Sequence, residues 1–454
     1  MNRTITTFRD PVSSMWQYAI TKAVSQKTVA ATPPLAHTSR EMRQFSTALT
    51  ALQQGQPVPA TDAEGLPIEN CAKLAAELAW AVITHNTQKA EDLQNQLQYG
   101  TCDPVWTLAL AEFLAWKASD KLIPYVRYQN LNDFIIPLPS KPDLVIGIVA
   151  DWGTGLDDAK WVLSELMKKA PDVLIHLGDI YYAGTKDENN NNFLKVVNAL
   201  APGIPVYTLS GNHDMYSGGE GYYWVLGQLN TSSELKKYQQ QASYFCLRSA
   251  NWQILAMDTG YNDSDLPTVD TNVTRLADGE PDWHIDKLKN AGGRKTILLS
   301  HHQLFTAYGG GVGKSKTGQS LAYNPNLYAV FGPYLPNVAL WLWGHEHNFD
   351  YFKPYLGLGK GRCVGASAIP SLKDQNPYGL IGNPDLQGQA SLPQWDDSGK
   401  MTKLQITKDG GYFHDYAVIT LRSPDSRIKD SEIRYYEVDS CNKGESILIG
   451  GETI

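Results

Sequence analysis

The sequence predicts an α/β fold of the α+β sandwich kind: two packed, mixed β-sheets flanked by helices, preceded by a helical N-terminal unit. Three observations predict it. Five short apolar runs, 144–150, 173–177, 205–210, 296–300 and 338–343, each stop at polar side chains. From residue 143 the first of these runs alternate with helical stretches, 158–170 and 192–200, which is the grammar of βαβ units. From residue 243 the rhythm changes to strand pairs: 243–248 against 252–257 across Ser249-Ala250-Asn251, then 412–421 with 432–438.

Taken in order, residues 1–135 read as helical. Breakers at Thr32-Pro33-Pro34 and Gln56-Pro57-Val58-Pro59 separate the stretches. Cys71, Leu74, Ala75, Leu78, Ala81 and Val82 recur at helical spacing, and Asp103-Pro104 is a helix start before the apolar stretch 105–118. No catalytic motif is found there; His37 and His85 stand alone. Proline at three of seven positions makes 136–142 a stiff linker. Residues 143–454 form the main domain.

Composition bounds the function. The chain has 454 residues, 42% hydrophobic and 19% charged, with a net charge of -8. An acidic chain lacks the basic face of a nucleic-acid binder. The five cysteines are scattered and never in C-x-x-C spacing, so buried free thiols are expected rather than disulfides or a zinc knuckle. The N-terminus has no signal-peptide core, and no apolar run nears the roughly 18 residues of a membrane span. The expectation is a soluble cytoplasmic protein, with export by a route without a cleavable signal left open.

The chemistry sits at the strand ends. They deliver Asp151, Asp179, Asn212, His301 and the pair His345-x-His347. In open α/β sheets, ligands collect beyond the carboxyl ends of strands. Carboxylates, an amide and neutral imidazoles are the donors of hard and borderline cations, so the set describes a metal centre, with room for two ions. His213 beside Asn212 is the candidate general acid, with Asp214 placed to orient it. His302 either lines the pocket or packs in the core. Gly309 to Ser315 imitates a phosphate loop, but Tyr308 stands where the first glycine belongs; we read a flap, with Lys314 and Lys316 in solvent.

Asp151-x-Gly153, Gly178-Asp179-x-x-Tyr182, Gly211-Asn212-His213-Asp214, His301 and Gly344-His345-x-His347 resemble the five ordered blocks of the calcineurin-like metallophosphoesterases. More narrowly they resemble the purple acid phosphatases, which lack the first-block histidine, here Gly153, and add a tyrosine, here Tyr182. The resemblance covers about 143–438 and leaves the first 135 residues outside. It implies the metallophosphoesterase fold and two metal ions bridged by Asp179. Asp151, Tyr182 and His347 would complete a first site for Fe(III). Asn212, His301 and His345 would complete a second for Fe(II), Zn or Mn. It also implies hydrolysis of a phosphoester, most simply a monoester, by in-line attack of a metal-activated water, with His213 as acid. A nucleotide phosphodiesterase, or a non-catalytic metal-binding module, uses the same ligands.

Overall fold

The computed structural model describes residues 40–61, single positions between 73 and 89, and residues 122–454 with breaks at 182, 264–272, 308–311, 316 and in parts of 370–410. The chain divides into two compact units, one of Met1–Leu122 with Tyr216–Gly218 and Asp265–Thr271, the other of Ile123–Met215, Gly219–Ser264 and Asn272–Ile454. Of the N-terminal unit, helix α1 (Arg40–Gln53) is described. Its Ala48 and Leu49 are buried against Ala76, with Leu52, Val58 and Trp80 around them. The expected helix at 103–118, Cys71, Cys102, His37 and His85 lie outside the described residues.

The main unit is the predicted sandwich. One sheet has seven strands: β1 (Ile135–Pro137), β5 (Phe245–Arg248), β6 (Trp252–Ala256), β7 (Lys295–Leu299), β10 (Val338–Trp343), β12 (Gly361–Val364) and β11 (Phe349–Tyr351). The other has six: β15 (Ile447–Thr453), β14 (Glu432–Val438), β13 (His414–Arg422), β2 (Asp143–Val149), β3 (Val173–His176) and β4 (Val206–Thr208). A small hairpin, β8 (Gly313–Lys314) with β9 (Ser320–Leu321), forms part of the expected flap, and Lys314 Nζ donates to Ser320 Oγ at 3.0 Å.

Parallel pairing runs through β2-β3-β4 and β6-β7-β10-β12. The hairpin β5–β6 and the pair β13–β14 are antiparallel, as expected. The stretch expected as a linker starts inside β1, which pairs with β5 in parallel register. Four described strands of the two large sheets carry no legible signal in the sequence. β1 lies in the proline-rich stretch, β11 is three residues long, β12 is Gly-Arg-Cys-Val, and β15 carries two central glycines; none is an apolar run of readable length.

The apolar runs are continuous because both faces of each sheet are covered. On β10, Leu340 and Leu342 enter the core between the sheets, whereas Trp341 and Trp343 face a second core under α3 (Pro325–Phe331). On β3, Ile175 joins the central core and Leu174 packs with Val162, Leu163 and Leu166 of α2 (Asp157–Met167). Stacked sheets fix the strand ends as one rigid edge. The described cysteines Cys246 and Cys363 are buried and free. No described helix is long and apolar enough to cross a membrane.

Candidate metal centre

Five strands, β2, β3, β4, β7 and β10, bring the singled-out residues to that edge within one or a few residues of their last strand position. The turns there are tight. Asp151 (φ 52), Asp179 (φ 71) and His345 (φ 66) are left-handed, a conformation side chains adopt at a cost and mainly where surroundings impose it. Two glycines make room. A Cβ on Gly211 would lie 2.0 Å from Asp179 Oδ1, and one on Gly153 would lie 2.8 Å from the Ile180 Cα. Gly153 and Ile180 form a parallel bridge, so a histidine at that position has no space.

The donors fall into two sets that share Asp179. In the first, the Tyr181 hydroxyl lies 3.0 Å from Asp151 Oδ1, 3.1 Å from Asp179 Oδ2 and 3.3 Å from His347 Nε2. His347 Nε2 is 3.5 Å from Asp151 Oδ1. In the second, Asn212 Oδ1 is 3.1 Å from both His301 Nε2 and His345 Nδ1, and those nitrogens are 3.3 Å apart. His301 Nε2 is also 3.4 Å from Asp179 Oδ2. Tyr182, which the resemblance assigns to the first set, lies outside the described residues. The adjacent Tyr181 contributes the phenol that the structure shows.

The second set fits a cation on its own chemistry. His301 Nδ1 sits 3.1 Å from the Leu177 carbonyl, to which it must donate. In the neutral ring Nε2 is then a lone pair, aimed at an amide oxygen, another imidazole nitrogen and a carboxylate. His345 Nδ1 either donates into this cluster or, with its proton on Nε2, adds another lone pair to it; in the second state the buried acceptors take a cation between them. With only protons to supply that charge, burial lowers the His301 pKa, but the Asp179 and Asp151 carboxylates outweigh burial and raise it to about 9. His345 goes the other way, because burial and then the neighbouring His302 and His301 disfavour its charge. Burial opposes ionisation of Asp179, yet His301 and His213 hold its carboxyl well below the usual range. Burial, then Asp151 and Asp179, push the Tyr181 hydroxyl well above its ordinary value; a multivalent cation is what reverses that shift.

His213 is buried over the shared carboxylate. Its backbone N–H donates to Asp179 Oδ1 at 3.0 Å, its Nε2 is 3.9 Å from Asp179 Oδ2, and its ring lies 4.6 Å from that of Tyr181. Asp214 ties the backbone of the site together. Its carboxylate accepts the N–H groups of Gly211, Asp179 and Ile180 at 2.8, 3.0 and 3.2 Å, fastening the Asp179 turn to the Asn212 turn.

His302, which the sequence alone places in either pocket or core, belongs to the edge. Its ring centroid is 4.4 Å from that of His345, and its nitrogens meet Thr259 Oγ1 and Asp263 Oδ2, each at 2.9 Å. Thr259 and Asp263 carry no sequence signal beyond their place after the apolar strand β6.

The calcineurin-like phosphoesterase family profile matches residues 144–349. The tartrate-resistant acid phosphatase type 5 of Mus musculus is 22% identical over 246 residues, covering 48% of this chain and 71% of that protein. The same protein of Rattus norvegicus is 23% identical over 239 residues, covering 46% and 68%. Among solved structures, the purple acid phosphatase PPD1 from yellow lupin (Lupinus luteus) seeds aligns with 69% of this chain at a TM-score of 0.43 and 15% identity. This chain spans about half of that structure, 54%.

Proposed function

We propose that this chain, whose residues 144–349 match the calcineurin-like phosphoesterase profile, is a two-metal phosphoesterase hydrolysing phosphomonoesters. The observation that carries this reading is the sharing of Asp179 between two convergent donor sets. Asp151, Asp179, Tyr181 and His347 would hold one ion; Asp179, Asn212, His301 and His345 the other. Carboxylates with a phenol suit Fe(III); imidazoles with an amide suit Fe(II), Zn or Mn. Such a pair, when bound, polarises a phosphoester and lowers the pKa of an attacking water from about 15.7 towards 7.

The remaining work falls to the chain. The backbone turns fix the donors before substrate arrives. His213, held over Asp179 by its own N–H, is placed to give a proton to the leaving oxygen. Asp214 keeps that turn in register through three amides.

The test is hydrolysis of an aryl phosphate by metal-replete protein beside an aryl diester. We expect faster monoester turnover, lost in Asp179→Asn and strongly reduced in His213→Ala. Undiminished rates in both variants would sink the assignment. Faster diester turnover would favour the phosphodiesterase reading, and no turnover with both ions bound would favour the non-catalytic one.

A further inference from the structure

At the other end of the same sandwich, β2, β6 and β7 begin, while metal-centre residues follow the carboxyl ends of β2 and β7. From Leu144 to Asp151 the strand advances about 20 Å. Here the 137–141 stretch, the β5–β6 turn, Arg294 and the end of β13 line a cavity of about 540 Å³. Leu138, Leu144 and Trp252 give it an apolar floor. Four cations surround that floor, Lys141, Arg248, Arg294 and Arg422, in a chain whose net charge is -8.

Two of the four are neutralised. Lys141 pairs with Asp172, and Arg422 with Glu432 at 2.7 Å. The other two form no ion pair with a carboxylate among the described residues. Arg248 Nη2 donates to the neutral Gln253 amide at 2.8 Å, and Arg294 donates through Nε and Nη1 to the carbonyls of Ser249 and Ala291, each at 2.8 Å. A guanidinium that meets only neutral acceptors keeps its charge uncompensated, and an oxyanion is its natural complement.

We propose that this cavity is a binding site for a small organic oxyanion with an apolar body, its head on Arg248 and Arg294 and its body over Trp252. A bare inorganic anion would leave the apolar floor in water.

Calorimetric titration of the full-length, metal-loaded protein with naphthalene-1-sulfonate tests this, with orthovanadate saturating the metal centre. We expect one site, unmoved by vanadate, weakened about tenfold in each of Arg248→Gln and Arg294→Gln. The neutral 1-naphthalenemethanol should bind far more weakly than the sulfonate. Unchanged aryl-phosphate turnover in the variants would show that they are folded. Raising the ionic strength should weaken the wild-type complex, which needs no variant. Displacement by vanadate, equal affinity in both variants, a flat salt response or no binding would each overturn the proposal.

Discussion

The donor sets on either side of Asp179 are built from different material. Around Asp151, Tyr181 and His347 the potential ligands are an anion, a phenol and one imidazole, in mutual hydrogen-bonding contact. Around Asn212, His301 and His345 they are an amide oxygen and two imidazole nitrogens turned on one another. The first set carries anionic oxygens; the second is built from neutral groups around the shared carboxylate. The difference teaches that the two halves need not bind with equal strength or favour the same oxidation state, although one carboxylate serves both.

The largest effect should come from breaking the shared element. Asp179→Asn removes the charge from both sets, and we expect loss of both ions by elemental analysis and about a thousandfold lower turnover, the several kcal/mol that metal stabilisation supplies. Next, His345→Ala strips one set only. One ion per chain should remain, with a visible absorption band in iron-loaded protein if phenol and iron meet in the other set. Loss of both ions would show that the halves are not independent.

A sharper probe with a smaller effect on rate is the pair Tyr181→Phe and Tyr182→Phe. The band needs a phenolate donor, so Tyr181→Phe should be pale and folded, and Tyr182→Phe coloured. The reverse outcome would return the phenol to the residue that the family pattern selects. Asp214→Ala should leave both ions in place at saturating metal but lower stability by about 1–3 kcal/mol in chemical denaturation, the cost of stranding buried amides.

An effect on stability alone, with none on the metals, is expected outside both sets. Burial pushes the Glu280 carboxyl up to about 8, although Tyr125 and the Asp258 N–H donate to it. A raised carboxyl favours the protonated folded state. Its stabilisation is complete below the unfolded pKa near 4.5 and disappears as pH rises towards 8, by no more than about 1.4 kcal/mol per pH unit. Thermal melts across that window should fall with pH in the wild type and flatten in Glu280→Gln. Identical slopes would mean that Glu280 is ionised throughout.

The sandwich is readable because five buried strands are apolar on both faces and stop sharply, and the ligand edge follows from what stands at each stop. What escapes depends on direction rather than identity. Spacing counts residues along a loop, but Asp179 is left-handed and Ile180 is tied to Gly153, so the chain turns between the aspartate and Tyr181. That turn brings the Tyr181 hydroxyl to the edge. Asp214 shows the same for direction: a short helix, Asn212–Met215, turns its carboxylate to the amides of Gly211, Asp179 and Ile180, contacts that adjacency to His213 does not foretell. His302 is undecidable without knowing that Asp263 returns to meet it.

The left-handed residues carry a further consequence, for the speed of metal uptake. Asp151, Asp179 and His345 each hold a backbone state worth roughly 1–2 kcal/mol of strain, imposed by the folded strands rather than by an ion. A socket set in advance leaves no chain rearrangement to accompany loading. Uptake should therefore be second order in metal and protein up to high concentration, without the plateau of a slow conformational step. Removal by a chelator should retrace the same path, with no lag and no hysteresis.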